Sequence, residues 1–202
     1  MRSQALVPNL ISLGASAYLE DQRPLHSLRV GLNMVAIAGG AGLIGLLAQV
    51  SLPLPFTPVP ITGQTFGVLF LSLLWGRNLS FLTLLAYILA GAVGLPWFAQ
   101  FKSGIHGPSA GYLLGMLVAS GLVGFLADQG WVKSFTKAVL AGLLGQVSIF
   151  ACGLLVLSFY VPNDKLLLMG LYPFLPGALL KLFLAVGLSR SIDWRDFPLV
   201  SK

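Results

Sequence analysis

Pro58-Val59-Pro60-Ile61-Thr62-Gly63-Gln64-Thr65 lies between two long apolar segments of a 202-residue chain. A proline ring fixes φ and leaves no backbone N–H to donate, so a Pro-x-Pro run cannot continue a helix and predicts an ordered, irregular element. The stretch closes on two uncharged hydrogen-bonding side chains, Gln64 and Thr65, where the chain re-enters an apolar run. At the edge of a bilayer, irregular backbone is tolerated where it is buried in protein or lines a cavity. The stretch therefore predicts a pocket mouth between membrane-spanning helices.

Composition agrees. The chain is 56% hydrophobic and only 9% charged, with a mean hydropathy of +0.89. An average soluble domain carries roughly 25% charged residues, so this chain lacks the polar surface that water demands. Its solvent is a lipid bilayer, and its fold class is all-α integral membrane protein. A spanning helix needs about 20 mainly apolar residues. Residues 30–50, 79–98, 109–127, 138–160 and 171–189 meet that length. The shorter run 60–75 is counted as a sixth span because Gly76-Arg77-Asn78 ends it and the next span must start from that side. Six spans would place both termini on one side. The expected organisation is an N-terminal extension over 1–28, a six-helix transmembrane domain over 29–192 and a tail over 193–202. The extension lacks the pattern of a signal peptide. It is interrupted by Pro8, Asn9 and the polar run 20–24, with a short surface helix expected over 11–19.

The basic residues orient this frame. With the N-terminus inside, Arg2, Arg23, Arg29, Arg77, Lys133, Lys137, Arg190, Arg195 and Lys202 fall on the cytoplasmic side, and only Lys102 and Lys165 fall outside. Lys181, the last of the twelve, lies within a span. That bias is the positive-inside signature, so the net charge of +6 reflects topology and not nucleic-acid binding. The loops assigned to the outside, 51–63, 99–108 and 161–172, are rich in proline, glycine or aromatics; the inner connections are short and polar. The elaborate side suits capture of an external ligand.

Lys181 is the one charged residue well inside a span, and no acidic residue accompanies it there. Such a cation marks either a ligand site, for a carboxylate or a urea-like carbonyl, or a lysine whose stem snorkels to an interface; its mid-helix position favours the site. Gln64 and Thr65 either bind a polar ligand head or occupy the first turn of a helix capped by Thr62. Tyr87, Tyr112, Trp97 and Phe98 are interfacial or core aromatics, of which one or two are expected to line a pocket. Small residues four apart, Ala36/Gly40, Ala38/Gly42 and Ala41/Gly45 in the first span and Gly111/Gly115 in the fourth, allow close helix approach in lipid. They serve either packing within the bundle or, in the first span, docking of another membrane subunit through Ala36, Gly40 and Ala41.

Catalysis is not expected. All six acidic residues fall outside the spans, and there is no nucleophile–base constellation or metal-ligand motif. Cys152 is single, which excludes an internal disulfide, and His106 has no second ligand candidate nearby. No phosphate-binding loop is present, so this chain is expected to bind no cofactor and to hydrolyse no ATP itself.

Four motifs in order, PVPITGQTFGVLF (58–70), LAYILAGAVGLPWF (85–98), GPSAGYLLG (107–115) and PFLPGALLK (173–181), resemble the BioY family. These are the biotin-specific substrate-binding, or S, components of energy-coupling-factor (ECF) transporters. The resemblance implies a six-helix S component in a bacterial cytoplasmic membrane, with both termini cytoplasmic and a biotin site near the outer face. It also implies a transmembrane partner subunit, docked on the small-residue face of the first span, and ATPase subunits that use ATP. Gln64, Thr65, Tyr87, Tyr112 and Lys181 fall on matching motif positions and take the family's pocket role by that resemblance. One departure matters: where the family pattern reads Pro-Gly-Asp-x-x-Lys, Pro176-Gly177 is followed here by Ala178. Lys181 thereby loses the counter-ion the pattern supplies, which leaves open uptake of a different small vitamin or carboxylate. A membrane scaffold that binds nothing small is the reading from another class. A second departure is the segment 99–106, less glycine-rich than the family's, where Lys102 is a further candidate for a ligand carboxylate.

Overall fold

The computed structural model describes residues 7–192, with side chains described from residue 28 onward. The described chain is helical apart from its loops and one two-residue hairpin. In order it comprises α1 (Val7–Gln49), β1 (Ser51–Leu52), β2 (Ile61–Thr62), α2 (Gln64–Ala92), α3 (Ala110–Asp128), α4 (Phe135–Leu157), α5 (Leu166–Gly170) and α6 (Leu175–Ser191). By length and composition, five helical segments can cross a membrane: Leu28–Gln49, Gln64–Ala92, Ala110–Asp128, Phe135–Leu157 and Asn163–Ser191. The expected spans overlap these, but the runs 60–75 and 79–98 share the single helix α2, which leaves out 60–63 and 93–98, so five long segments stand where six were expected. The separate helix expected over 11–19 is instead the start of α1, which continues through Pro24. A proline inside a helix costs one hydrogen bond and bends the axis more readily than it ends a long helix.

The 29-residue α2 is not straight. Gln64 donates from Nε2 to the Tyr87 hydroxyl at 2.8 Å, yet 23 residues of continuous helix would hold them about 35 Å apart. The chain must double back between them, and it does so at Gly76, where φ is 74° and ψ is −172°. That region of backbone space is open essentially to glycine alone. The turn is held by Asp128, whose carboxylate accepts the Arg77 N–H at 3.0 Å. A Cβ on Gly76 would run into that same carboxylate. Ser80 then ties the second half of α2 across to α3 by donating to the Gly76 and Ser120 carbonyls at 2.6 and 3.2 Å.

Helix α3 packs between α2 and α4. The close approach of α3 to α4 needs Gly111 and Gly115, since a Cβ on Gly115 would lie 2.7 Å from the Ile149 Cα and one on Gly111 would strike the Cys152 carbonyl. The core is in two parts. One joins Ile44, Leu84, Tyr87, Phe98, Tyr112, Met116 and Ile149 beneath the proline loop. The other joins Leu69, Leu73, Val123, Ala138, Leu182 and Val186 towards the opposite end. Large apolar side chains on the outside, such as Val35, Leu46, Val118, Val147 and Leu180, are exposed. In water that would drive aggregation; in lipid it is the solvated surface.

Two ends result. Asp128 beside Arg77, and Arg190 donating to the Val132 carbonyl at 3.2 Å, gather the Gly76 turn, the α3–α4 connection and the end of α6. At the other end lie the proline loop, residues 97–109 and α5, with the Thr57 hydroxyl donating to the Met169 carbonyl at 2.7 Å.

Candidate functional site

The Pro58–Thr65 stretch is ordered and irregular, as its prolines demand. Strands β1 and β2 pair antiparallel, Ser51 with Thr62 and Leu52 with Ile61. The Gly63 N–H donates to the Leu47 and Val50 carbonyls at 3.1 and 2.9 Å, which pins the loop to the end of α1. Beneath it opens a cavity of about 420 Å³, lined by this loop, the segment 98–110 and inner faces of α3, α4 and α6. That volume is within the roughly 300–1,000 Å³ of small-molecule sites.

Of the expected site residues, Gln64, Thr65, Phe98, Tyr112 and Lys181 line this cavity. Tyr87 and Trp97 do not; they stand behind its wall. Tyr87 is fully buried, accepts from Gln64 and donates to the Trp97 carbonyl at 3.2 Å, while the Trp97 indole N–H donates to the Tyr87 carbonyl at 2.9 Å. Their rings sit 5.1 Å apart, and Phe98 meets Tyr87 edge-on at 5.3 Å. Tyr87 thus fixes the rotamer of Gln64 and the course of the chain that carries Phe98. The expected cap at Thr62 is absent: Gly63 occupies the N-cap position without a side-chain bond, and the Thr62 hydroxyl donates to Gln64 Oε1 at 2.9 Å. Glycine at an N-cap costs only a few tenths of a kcal/mol relative to the better caps, which leaves the threonine free for the site.

Lys181 is half-buried on α6, and its Nζ donates to the Thr62 carbonyl at 2.6 Å. An ammonium has three protons, so this bond aims the lysine beneath the proline loop and leaves donor capacity. No Asp or Glu lines the cavity. Ala178, one turn earlier, is buried and lines it too. Tyr112 donates to the Gly170 carbonyl at 2.7 Å and lies 6.2 Å from the Phe174 ring, an apolar wall completed by Val59, Met116 and Ile149.

The mouth is held by Gln49, whose Nε2 donates to the Gly45, Trp97 and Phe98 carbonyls at 3.1 Å each. Its Oε1 accepts the Phe101 N–H at 3.1 Å. Gln100 and Phe101 there adopt positive φ, 62° and 56°, a strained choice for residues with a Cβ. Lys102, Ser103 and His106 line the cavity from this exposed rim. Gln146 on α4 also lines it, and sequence reasoning passed it over. The signal was present: it is the single side-chain amide in the apolar run Phe135–Leu157.

Gly40 and Ala41, expected to dock a partner, are buried within this chain. A Cβ on Gly40 would lie 2.6 Å from the Trp75 ring. Ala36 is half-buried, whereas Gly39 and Gly42 face open space. Small residues on the Gly40 side serve the bundle itself.

The BioY family model matches residues 22–196. This chain belongs to the BioY family. Among the similar BioY proteins is the biotin transporter BioY of Thermotoga maritima, 38% identical over 71% of this chain and 85% of its own length. Another is a probable biotin transporter BioY of Pyrococcus horikoshii, 34% identical over 80% of this chain and 95% of its own. In structure the chain resembles the S-component for biotin from an ECF-type ABC transporter, solved by crystallography at 2.1 Å. The TM-score is 0.72 with 27% identity, covering 79% of this chain and 89% of that one. BioY membership and the five long apolar segments make it a multi-pass membrane protein.

Proposed function

We propose that this chain is the biotin-capturing S component of an ECF-type importer. What carries the reading is a cavity in which a half-buried lysine, two glutamines and an aromatic–aliphatic wall converge, in a chain of the BioY family. Biotin has a polar bicyclic head, an apolar chain and a carboxylate, and the cavity offers matching surfaces. Gln64, Thr65, Phe98, Tyr112 and Lys181 bind it; Tyr87 and Trp97 hold those residues in place.

The two halves of α2 are read as separate crossings, which gives six spans with both termini in the cytoplasm of a bacterial inner membrane. The reversal at Gly76 supports this, as does the grouping of Arg77, Lys133 and Arg190 at the end opposite the cavity. Biotin then enters from outside. A transmembrane ECF subunit and ATPase subunits supply the energy, ATP being used by them and not by this chain. Docking of the transmembrane subunit is assigned to the lipid-facing side of α1, where Gly39 and Gly42 leave room, with Ala36 at its edge and Gly40 and Ala41 supporting it from within.

Equilibrium binding of biotin to the detergent-purified chain tests the reading, with biotin methyl ester and desthiobiotin as competitors. Saturable binding, displaced by both in a reproducible rank order, is expected. Absence of binding at micromolar biotin would overturn it.

A further inference from the structure

Gln146 is the one residue, among those described, with a buried side-chain polar atom left unpartnered. It is only 6% exposed. Its Nε2 donates to the Ala178 carbonyl on α6 at 3.2 Å. A main-chain carbonyl carries no hydrogen, so the atom facing it has to be the amide nitrogen, and the amide's orientation is chemically fixed. Oε1 is the atom left over, buried and without a partner. A buried acceptor in that state is costly and uncommon, and each instance calls for a reason. Gln146 lines the cavity together with Gln64, Ala178 and Lys181. Of the other polar side chains on the inner wall, Gln64 is bonded to Thr62 and Tyr87, Tyr112 to the Gly170 carbonyl, and Lys181 to the Thr62 carbonyl with donor capacity to spare. Among the described residues, Gln146 Oε1 is thus the one buried side-chain acceptor in want of a donor, and it belongs to a residue that lines the cavity.

We propose that Gln146 is a specificity-determining residue whose Oε1 accepts a hydrogen bond from a ureido N–H of the bound ligand. This rests on the biotin reading, and that reading makes it sharp. At neutral pH the two ureido N–H groups are biotin's only donors, since the carboxylate and the ring sulfur can only accept. Whatever part of biotin satisfies Gln146 must be the cyclic urea. The carboxylate would set one acceptor against another there, and it belongs at the rim, where exposed Lys102 and Ser103 line the cavity. A neutral amide also does this work in a cavity wall that holds no carboxylate.

The test compares biotin with biotin methylated on one or the other ureido nitrogen, binding to the full purified chain and to Gln146→Met, which matches the side chain's length and replaces the amide oxygen with a thioether that accepts only weakly. The unaltered chain is expected to bind at least one methylated form about tenfold or more weakly, the cost of leaving a buried polar group unpaired. Gln146→Met is expected to lose about tenfold for biotin and to narrow that discrimination. Equal binding of biotin and both methylated forms by the unaltered chain overturns the inference, even if the variant cannot be purified folded. So does a folded Gln146→Met that keeps both affinity and discrimination, the behaviour of an amide satisfied by water alone. No saturable biotin binding by the unaltered chain overturns the biotin reading and the inference with it.

Discussion

Lys181 reaches 119 residues back along the chain to the Thr62 carbonyl, so one side chain ties the last helix to the loop over the cavity. Removing it takes away both that tie and the cavity's one half-buried cation. Hydrogen bonds involving a charged group contribute about 1.5–3 kcal/mol, so Lys181→Ala is expected to weaken biotin roughly ten- to a hundredfold in equilibrium binding; unchanged affinity would remove Lys181 from the site. Ala178 is the complementary case. Ala178→Asp would put a carboxylate one turn before Lys181, where the two can pair, and would offer an acceptor for the second ureido N–H. Tighter biotin binding is expected, read by the same titration. A loss instead would show that the pocket is built around a neutral residue at 178.

At the scale of elements, the reversal in α2 and the loop above the cavity are the parts most sensitive to change. Gly76 has backbone angles that residues with a Cβ avoid, and a Cβ there also collides with Asp128. Gly76→Ala is expected to cost about 2 kcal/mol or more. A clearly lowered melting temperature of the detergent-solubilised protein checks this, and an unchanged one refutes the strain argument. The rim segment 97–101 is different, because Gln49 ties three of its backbone groups, the Trp97 and Phe98 carbonyls and the Phe101 N–H, to the end of α1. Gln49→Ala is expected to leave the bundle folded while speeding biotin dissociation several-fold, about the effect of losing 1 kcal/mol of mouth closure. Stopped-flow release of a fluorescent biotin derivative measures it, and an unaltered off-rate would mean the mouth does not gate release.

For the molecule as a whole, the testable quantity is its direction in the membrane. Lys133 and Lys165 lie at opposite ends of the bundle. In a Cys152→Ala background, Lys133→Cys should react with an impermeant thiol reagent only after the cytoplasmic side is exposed, and Lys165→Cys should react in intact cells. The reverse pattern would invert the topology and close the cavity to external ligand.

Much of this architecture was legible in the residues. Apolar runs of spanning length, the prolines at 58 and 60 and the break at Gly76 each act locally: burial in lipid, a fixed φ and a missing Cβ need no distant partner to exert their effect. The same locality explains why the loop was expected to cap a pocket. What sequence could not say is which polar side chains turn inwards. Tyr87 carried a matching motif position and Trp97 was an aromatic candidate, yet both stand behind the wall, whereas Gln146 carried no signal of that kind and lines the cavity. Likewise Gly40 and Ala41 have the spacing of a docking face and are used up inside the bundle. Those outcomes depend on how each helix is rotated about its axis and on which residues the Gly76 reversal and the α3–α4 approach bring together. Rotation and approach are set by packing between segments far apart in the chain, so the sequence determined a membrane bundle with a pocket under a proline loop, and only the tertiary structure decided which groups that pocket offers a ligand.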